Sequence, residues 1–198
     1  MTYTISLFYV FISVGLILNI IYDALKTNPI VFILYNITVF LILFGQIFFV
    51  LFNFFLYKID SKIDKKKLIT FLIIYTALII MILLIPSGFK INEETNWRPV
   101  WSWDFLIIVY VFMFCFTIIP FLILFIRIYK SFNEKRLKVK LIYFFLGFIG
   151  FAIATYGAML YNTWNEPIFR TIWTYLSLFI IIPSGLLTYY GIAASWKD

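Results

Sequence analysis

Histidine is absent from this 198-residue chain, and cysteine occurs once, at Cys115. No imidazole can serve as a general base, and no disulfide can form within the chain. Zinc, haem and copper sites built from histidine or paired thiolates are excluded as well. Charge is also scarce, at 13% of residues, and none of it falls inside the six longest apolar stretches. Coupled transporters ordinarily keep an ionisable relay within the membrane, so ion- or proton-coupled transport is disfavoured. No nucleophile motif accompanies the acids outside those stretches. The expectation is a non-enzymatic protein with no catalytic residue, no metal site and no cofactor.

What the chain has in abundance is hydrocarbon. Sixty-four per cent of its residues are hydrophobic, the mean hydropathy is +1.03, and 25 residues are phenylalanine. A soluble domain of this length needs far more polar surface. Six apolar stretches, at 3–22, 29–57, 68–85, 105–126, 141–161 and 171–195, reach or approach the roughly 20 residues that cross a hydrocarbon core of about 30 Å. The predicted fold is all-α, a polytopic transmembrane bundle of six helices with a Trp-rich outer loop. It forms one integral membrane domain over residues 1–198. The first stretch lacks a basic leader and a small-residue cleavage site, so it is expected to be retained.

The net charge of +7 is unevenly placed. Five lysines lie in 58–67 and six basic residues in 127–140. With Lys197 they make twelve on one side of a six-span topology. Only Lys26, Lys90, Arg98 and Arg170 fall on the other. Basic residues concentrate in cytoplasmic loops, so both termini are expected in the cytoplasm of a cell-membrane protein. Anionic lipid accounts for the basic loops better than nucleic acid does. The bilayer is the first expected partner. A separate cytoplasmic or membrane signalling partner and a homo-oligomer are the others.

Several polar and small residues interrupt the apolar runs. Asn19, Asn36, Gln46 and Asn53 are uncharged amides that need partners in lipid and are therefore expected to face the bundle, as interhelical contacts or as the lining of a solute path. Gly147, Gly150, Ala154 and Gly157 follow one another at spacings of three and four. They form a small-residue groove that lets another helix backbone approach, within the chain or across a dimer. Pro120 and Pro183 are expected to kink their helices, with Ser184 satisfying the carbonyls that Pro183 frees.

"NWRPVWSWDF" (96–105) puts three tryptophans into seven positions at the predicted outer face. Interfacial indoles anchor a membrane protein. Ser102 is placed to cap the next helix and Asp104 to sit in its first turn. Trp97 and Trp101 are expected to share a face of a short interfacial helix. Aromatic walls with a few charges also bind amines, sugars or peptide termini. The candidate ligand-binding set is Trp97, Arg98, Trp101, Asp104, Glu166 and Arg170, with Arg98 paired to Glu166 or Asp104.

The segments "NWRPVWSWDFLIIVYVF", "EKRLKVKLIYFFLGFIGFAI" and "FRTIWTYLSLFIIIPSGLLTYYGI" resemble uncharacterised archaeal multi-pass membrane proteins. They are more loosely similar to the multi-helix membrane sensor region of prokaryotic histidine kinases. The resemblance covers about half the chain and implies sensing of an extracellular or membrane cue. No kinase core follows Gly191 in this sequence, so the resemblance implies that any output passes to a separate protein. Two functions compete: a sensor-like or assembly subunit of a membrane complex, and a passive channel or facilitator for a small neutral solute. The sidedness makes a direct prediction. Cysteines introduced as Lys65→Cys and Glu93→Cys should label from opposite faces of the membrane, and labelling from one face would overturn the topology.

Overall fold

A computed structural model describes residues 2–58 and 64–192. The fold is all-α, and among the described residues six helices are long and apolar enough to cross a membrane. The chain is therefore a polytopic membrane protein. The helices are α1 (Thr2–Leu25), α2 (Ile30–Tyr57), α3 (Lys65–Leu83), α4 (Trp103–Met113), α5 (Ile119–Ser131), α6 (Lys135–Thr163) and α7 (Pro167–Ile192). A π turn, Phe114–Ile118, joins α4 to α5, and the three together make one span. Large apolar side chains stand out from the helices, Phe179 at 77% and Ile73 at 62% exposure. Water would penalise that surface, whereas acyl chains accept it.

Most helices overrun the apolar stretches that reveal them. Helix α3 begins at Lys65 rather than 68 because Asp64 caps it, its Oδ1 accepting from Lys66 N at 3.0 Å. Helix α6 begins at Lys135 rather than 141, and its basic first turns continue the helix. Helix α7 begins at Pro167 rather than 171, as proline has a preset φ and no donor to lose in a first turn. Hydropathy marks the hydrocarbon, whereas backbone hydrogen bonding continues into the headgroup region until a cap or turn stops it. Residues 59–63 and 193–198, which include part of the lysine-rich loop and the expected end of the last span, lie outside the described residues.

The contacts divide into two units, residues 1–122 and 123–198. In the first, α1 and α2 form an antiparallel hairpin packed through two glycines. A Cβ on Gly45 would lie 3.3 Å from Phe11 Cβ, and one on Gly15 would lie 3.4 Å from Ile42 Cγ1. Rings fill the remaining seam, with Phe8 and Phe49 centroids 4.3 Å apart. Tyr75 from α3 is buried and donates to Leu43 O at 2.9 Å, which ties α3 to α2. The amide expectation divides here. Gln46 and Asn53 are buried, but Asn19 is exposed and accepts from the Tyr22 hydroxyl in its own helix. Asn36 likewise stays local, donating to Phe32 O at 2.9 Å. An amide that finds a partner within its own helix has no need of a neighbour.

In the second unit α6 and α7 pair closely, and the small-residue groove is filled from within the chain. A Cβ on Gly147 would lie 2.8 Å from both Ser184 O and Thr188 N. One on Gly191 would lie 2.6 Å from Phe144 N. At Gly150 and Gly157 the occupants are side chains, the Ser184 hydroxyl and the Trp173 indole, rather than the neighbouring backbone expected there. Ala154 is buried. At Gly147 and Gly191 the two helices therefore meet backbone to backbone.

The two prolines are accommodated in different ways. Helix α7 runs unbroken through Pro183, and Ser184 Oγ donates to Ile180 O at 2.6 Å. Pro183 frees the carbonyl of Phe179, so the hydroxyl serves the next one along. Before Pro120 the chain widens into the π turn. One extra residue in the turn relieves the clash between a proline ring and the preceding carbonyls. Replacing Gly147 by alanine should lower thermal stability in detergent by roughly 1–3 kcal/mol, the range for overpacking against backbone that cannot yield. Unchanged stability would show that α6 and α7 separate readily.

Candidate binding site at the tryptophan-rich cap

The connection from α3 to α4 folds back over the first turns of α2. Pro86 follows the end of α3, and a short antiparallel pair forms, Phe89–Lys90 with Val100–Trp101, in the register Phe89 opposite Trp101. Ser102 N donates to Gly88 O at 2.9 Å, closing the hairpin. Gly88 is required by proximity, because a Cβ there would lie 2.6 Å from the Phe105 ring. Between the strands Asn92 caps a single 3-10 turn, Glu93–Thr95: its Oδ1 accepts from Thr95 N at 3.1 Å, and Thr95 Oγ1 accepts from Asn92 N at 3.0 Å. The chain then reverses through Asn96 and Trp97, both left-handed at φ 52° and 59°. Asparagine tolerates that region, whereas tryptophan reaches it only when the surroundings demand it.

Trp97 and Trp101 therefore share no helix face. The hairpin holds Trp101 extended and buried, with Nε1 donating to Tyr35 Oη at 2.5 Å. Its ring packs edge-on against Phe105, centroids 4.8 Å apart. Phe89 stacks on Phe32 and meets Tyr35 edge-on. This is an indole with its N–H satisfied and its ring dry, a fastener between the cap and α2. Ser102 caps α4 as the sequence indicated, accepting from Phe105 N at 3.2 Å, with Asp104 in the first turn. Trp103 is 54% exposed, as an interfacial anchor would be.

The other candidates take separate positions. Arg98 and Asp104 are exposed, and among the described residues no ion pair joins them. Glu166 and Arg170 belong to the second unit. There Arg170 Nε donates to Trp164 O at 3.3 Å and the guanidinium lies 5.1 Å from the Tyr161 ring centroid. Trp164 ends α6, so Arg170 places a cation at the negative end of that helix and holds the α6–α7 turn. Glu166 is half-buried at the same turn, its carbonyl accepting from Arg170 N at 3.0 Å.

Of the six candidates, Trp97 lines a shallow, open cleft in the first unit. The cleft has a volume of ≈ 480 Å³ and lies between the α1–α2 connection and the cap, lined by Lys26, Thr27, Asn28, Asn92, Glu93, Glu94 and Trp97. That volume suits one small molecule. Lys26, with φ 46°, ends α1 in the left-handed conformation that glycine usually supplies at a helix C-terminus. The sequence signal for the missed wall was the shortness of the 26–29 connection. A tight turn between two long helices holds Lys26, Thr27 and Asn28 beside whatever covers the end of α2.

Away from the cap, two buried polar side chains stand out. Asn53 has neither amide atom hydrogen-bonded, and Thr117 Oγ1 is likewise unpaired, among the described residues. Thr38, Thr76, Thr155 and Thr163 donate to the carbonyl four residues back at 2.8–3.1 Å. Thr117 lies in the π turn, where that back-bond is not made, and its hydroxyl lies beside the buried Tyr75 hydroxyl. Comparison with protein-family models, curated proteins and solved structures finds no match to this chain. The chemistry must therefore be read from these residues directly. A buried unpaired polar group costs about 1–3 kcal/mol. Asn53→Leu should therefore raise thermal stability in detergent, and a loss of stability would show that the amide holds an internal partner.

Proposed function

We propose that this chain is a non-enzymatic recognition subunit of the cell membrane, sensor-like in character, with the cap and its cleft on the extracytoplasmic side. The observation that carries this reading is the cleft itself. It is polar and small-molecule sized, and it opens at the end of a unit whose helices below are packed with phenylalanine and tyrosine. The cap is anchored from beneath by the Trp101–Tyr35 hydrogen bond, so its cleft walls are held by a rigid floor. The twelve-to-four distribution of Lys and Arg supports both termini in the cytoplasm and the cleft outside. The resemblance to prokaryotic sensor regions points the same way, and output would pass to a separate membrane or cytoplasmic protein. The α6 groove is filled by α7, which directs any homo-oligomer contact to other faces.

A facilitator for a small neutral solute is the second reading, favoured by the unpaired amide of Asn53 inside the first unit. The two readings part in a flux measurement. Proteoliposomes should show osmotic permeability to water, urea and glycerol equal to that of empty vesicles. Permeability above that background, reduced by Asn53→Leu, would reject the recognition reading in favour of the facilitator.

A further inference from the structure

We propose that the cleft at the cap binds a small zwitterion, its ammonium group held by Glu93, Glu94 and the Trp97 indole and its anionic group by Lys26. The proposal rests on the recognition reading and adds the ligand's chemistry. Lys26, Glu93 and Glu94 line one cleft, yet among the described residues no ion pair within 4.0 Å joins the lysine to either acid. All three are exposed at the cleft, so each charge is accessible to a partner from solution. A simple cation would be drawn by the acids and opposed by the lysine. A simple anion would meet the reverse. A molecule carrying both charges complements both walls, and the pattern also discriminates against singly charged competitors.

The neutral lining fits the same ligand. An indole attracts ammonium and quaternary ammonium groups, and Trp97 lines the same cleft as the two acids. Asn92 commits its carbonyl oxygen to Thr95 N, which leaves its amide N–H groups as donors. Two sources offer this chemistry: a free amino-acid-sized zwitterion, and the headgroup of a zwitterionic lipid at the membrane surface.

The test is a tryptophan-fluorescence titration of the full chain in phosphatidylglycerol nanodiscs, with glycine, ethylamine and acetate as probes. Glycine should give a saturable change, and ethylamine and acetate should bind about tenfold more weakly, the factor for losing one charge pairing. Lys26→Gly keeps the left-handed turn and should erase the preference for glycine over ethylamine. The double variant Glu93→Gln, Glu94→Gln should erase the preference for glycine over acetate. A merely structural role would move neither ratio. Phosphatidylethanolamine nanodiscs separate the sources. A fluorescence change on lipid exchange that Lys26→Gly abolishes, with weakened glycine binding, assigns the site to the headgroup. Unchanged glycine binding assigns it to the free zwitterion. Ethylamine or acetate binding as tightly as glycine in the unmodified chain would overturn the proposal. So would the absence of both a glycine titration and a lipid-dependent change. The recognition reading fails separately, on solute flux.

Discussion

Hydrocarbon offers no hydrogen bonds, so every peptide group that crosses it must find its partner within the protein. That constraint organises the rest of the structure. It makes each long apolar stretch helical, and it moves irregular backbone to the ends. The left-handed residues Lys26, Ser87, Asn96 and Trp97 all lie in connections rather than in spans. The irregularity within a span is the π turn before Pro120, where a residue without an N–H is accommodated by widening the helix. The short sheet, the 3-10 turn and the cleft all lie in or between the connections at the end of α2, where water or headgroups can serve the backbone.

Within that constraint the two units solve packing differently. The first uses rings, with Phe8, Phe49, Tyr75 and Phe112 among its buried side chains and glycines where α1 and α2 come closest. The second also buries Phe144 and Phe148, but its helices α6 and α7 come backbone to backbone at Gly147 and Gly191. Of the buried polar side chains in the first unit, Thr38 donates to a carbonyl of its own helix, whereas Asn53 makes no hydrogen bond among the described residues. In the second, the buried hydroxyls Thr163, Ser184 and Thr188 are satisfied by carbonyls of their own helices.

The cap links this architecture to a site. Its three tryptophans do different work. Trp101 is the buried fastener, Trp103 faces outward beside the start of α4, and Trp97 lines the cleft. A single recognition cluster of Trp97, Arg98, Trp101, Asp104, Glu166 and Arg170 treated Trp97 and Trp101 as equivalent because sequence proximity carries no information about direction. A two-residue strand turns Trp101 inward, and two left-handed residues turn Trp97 toward the α1–α2 connection. Arg170 is engaged in its own turn, with Trp164 and Tyr161.

The sequence alone determined the membrane class, the number of spans, the cap of α4 at Ser102 and the close packing at Gly147, because each rests on local composition or on spacing along one helix. Hydropathy is a property of single residues, and a capping hydroxyl acts on a backbone donor three positions away. It also placed Gln46 and Asn53 inside, since buried amides in a span are costly to leave in lipid. The tertiary structure decided everything that depends on which groups meet at long range. Trp101 reaches Tyr35 across 66 positions, and Tyr75 reaches Leu43 across 32. The cleft needs residues 26–28 and 92–97 side by side. Asn19 shows the same limit from the other side, since its partner Tyr22 lay one turn away and removed the need to face the core. Binding geometry is a relation between distant segments, and it exists only once the helices have set where their connections end.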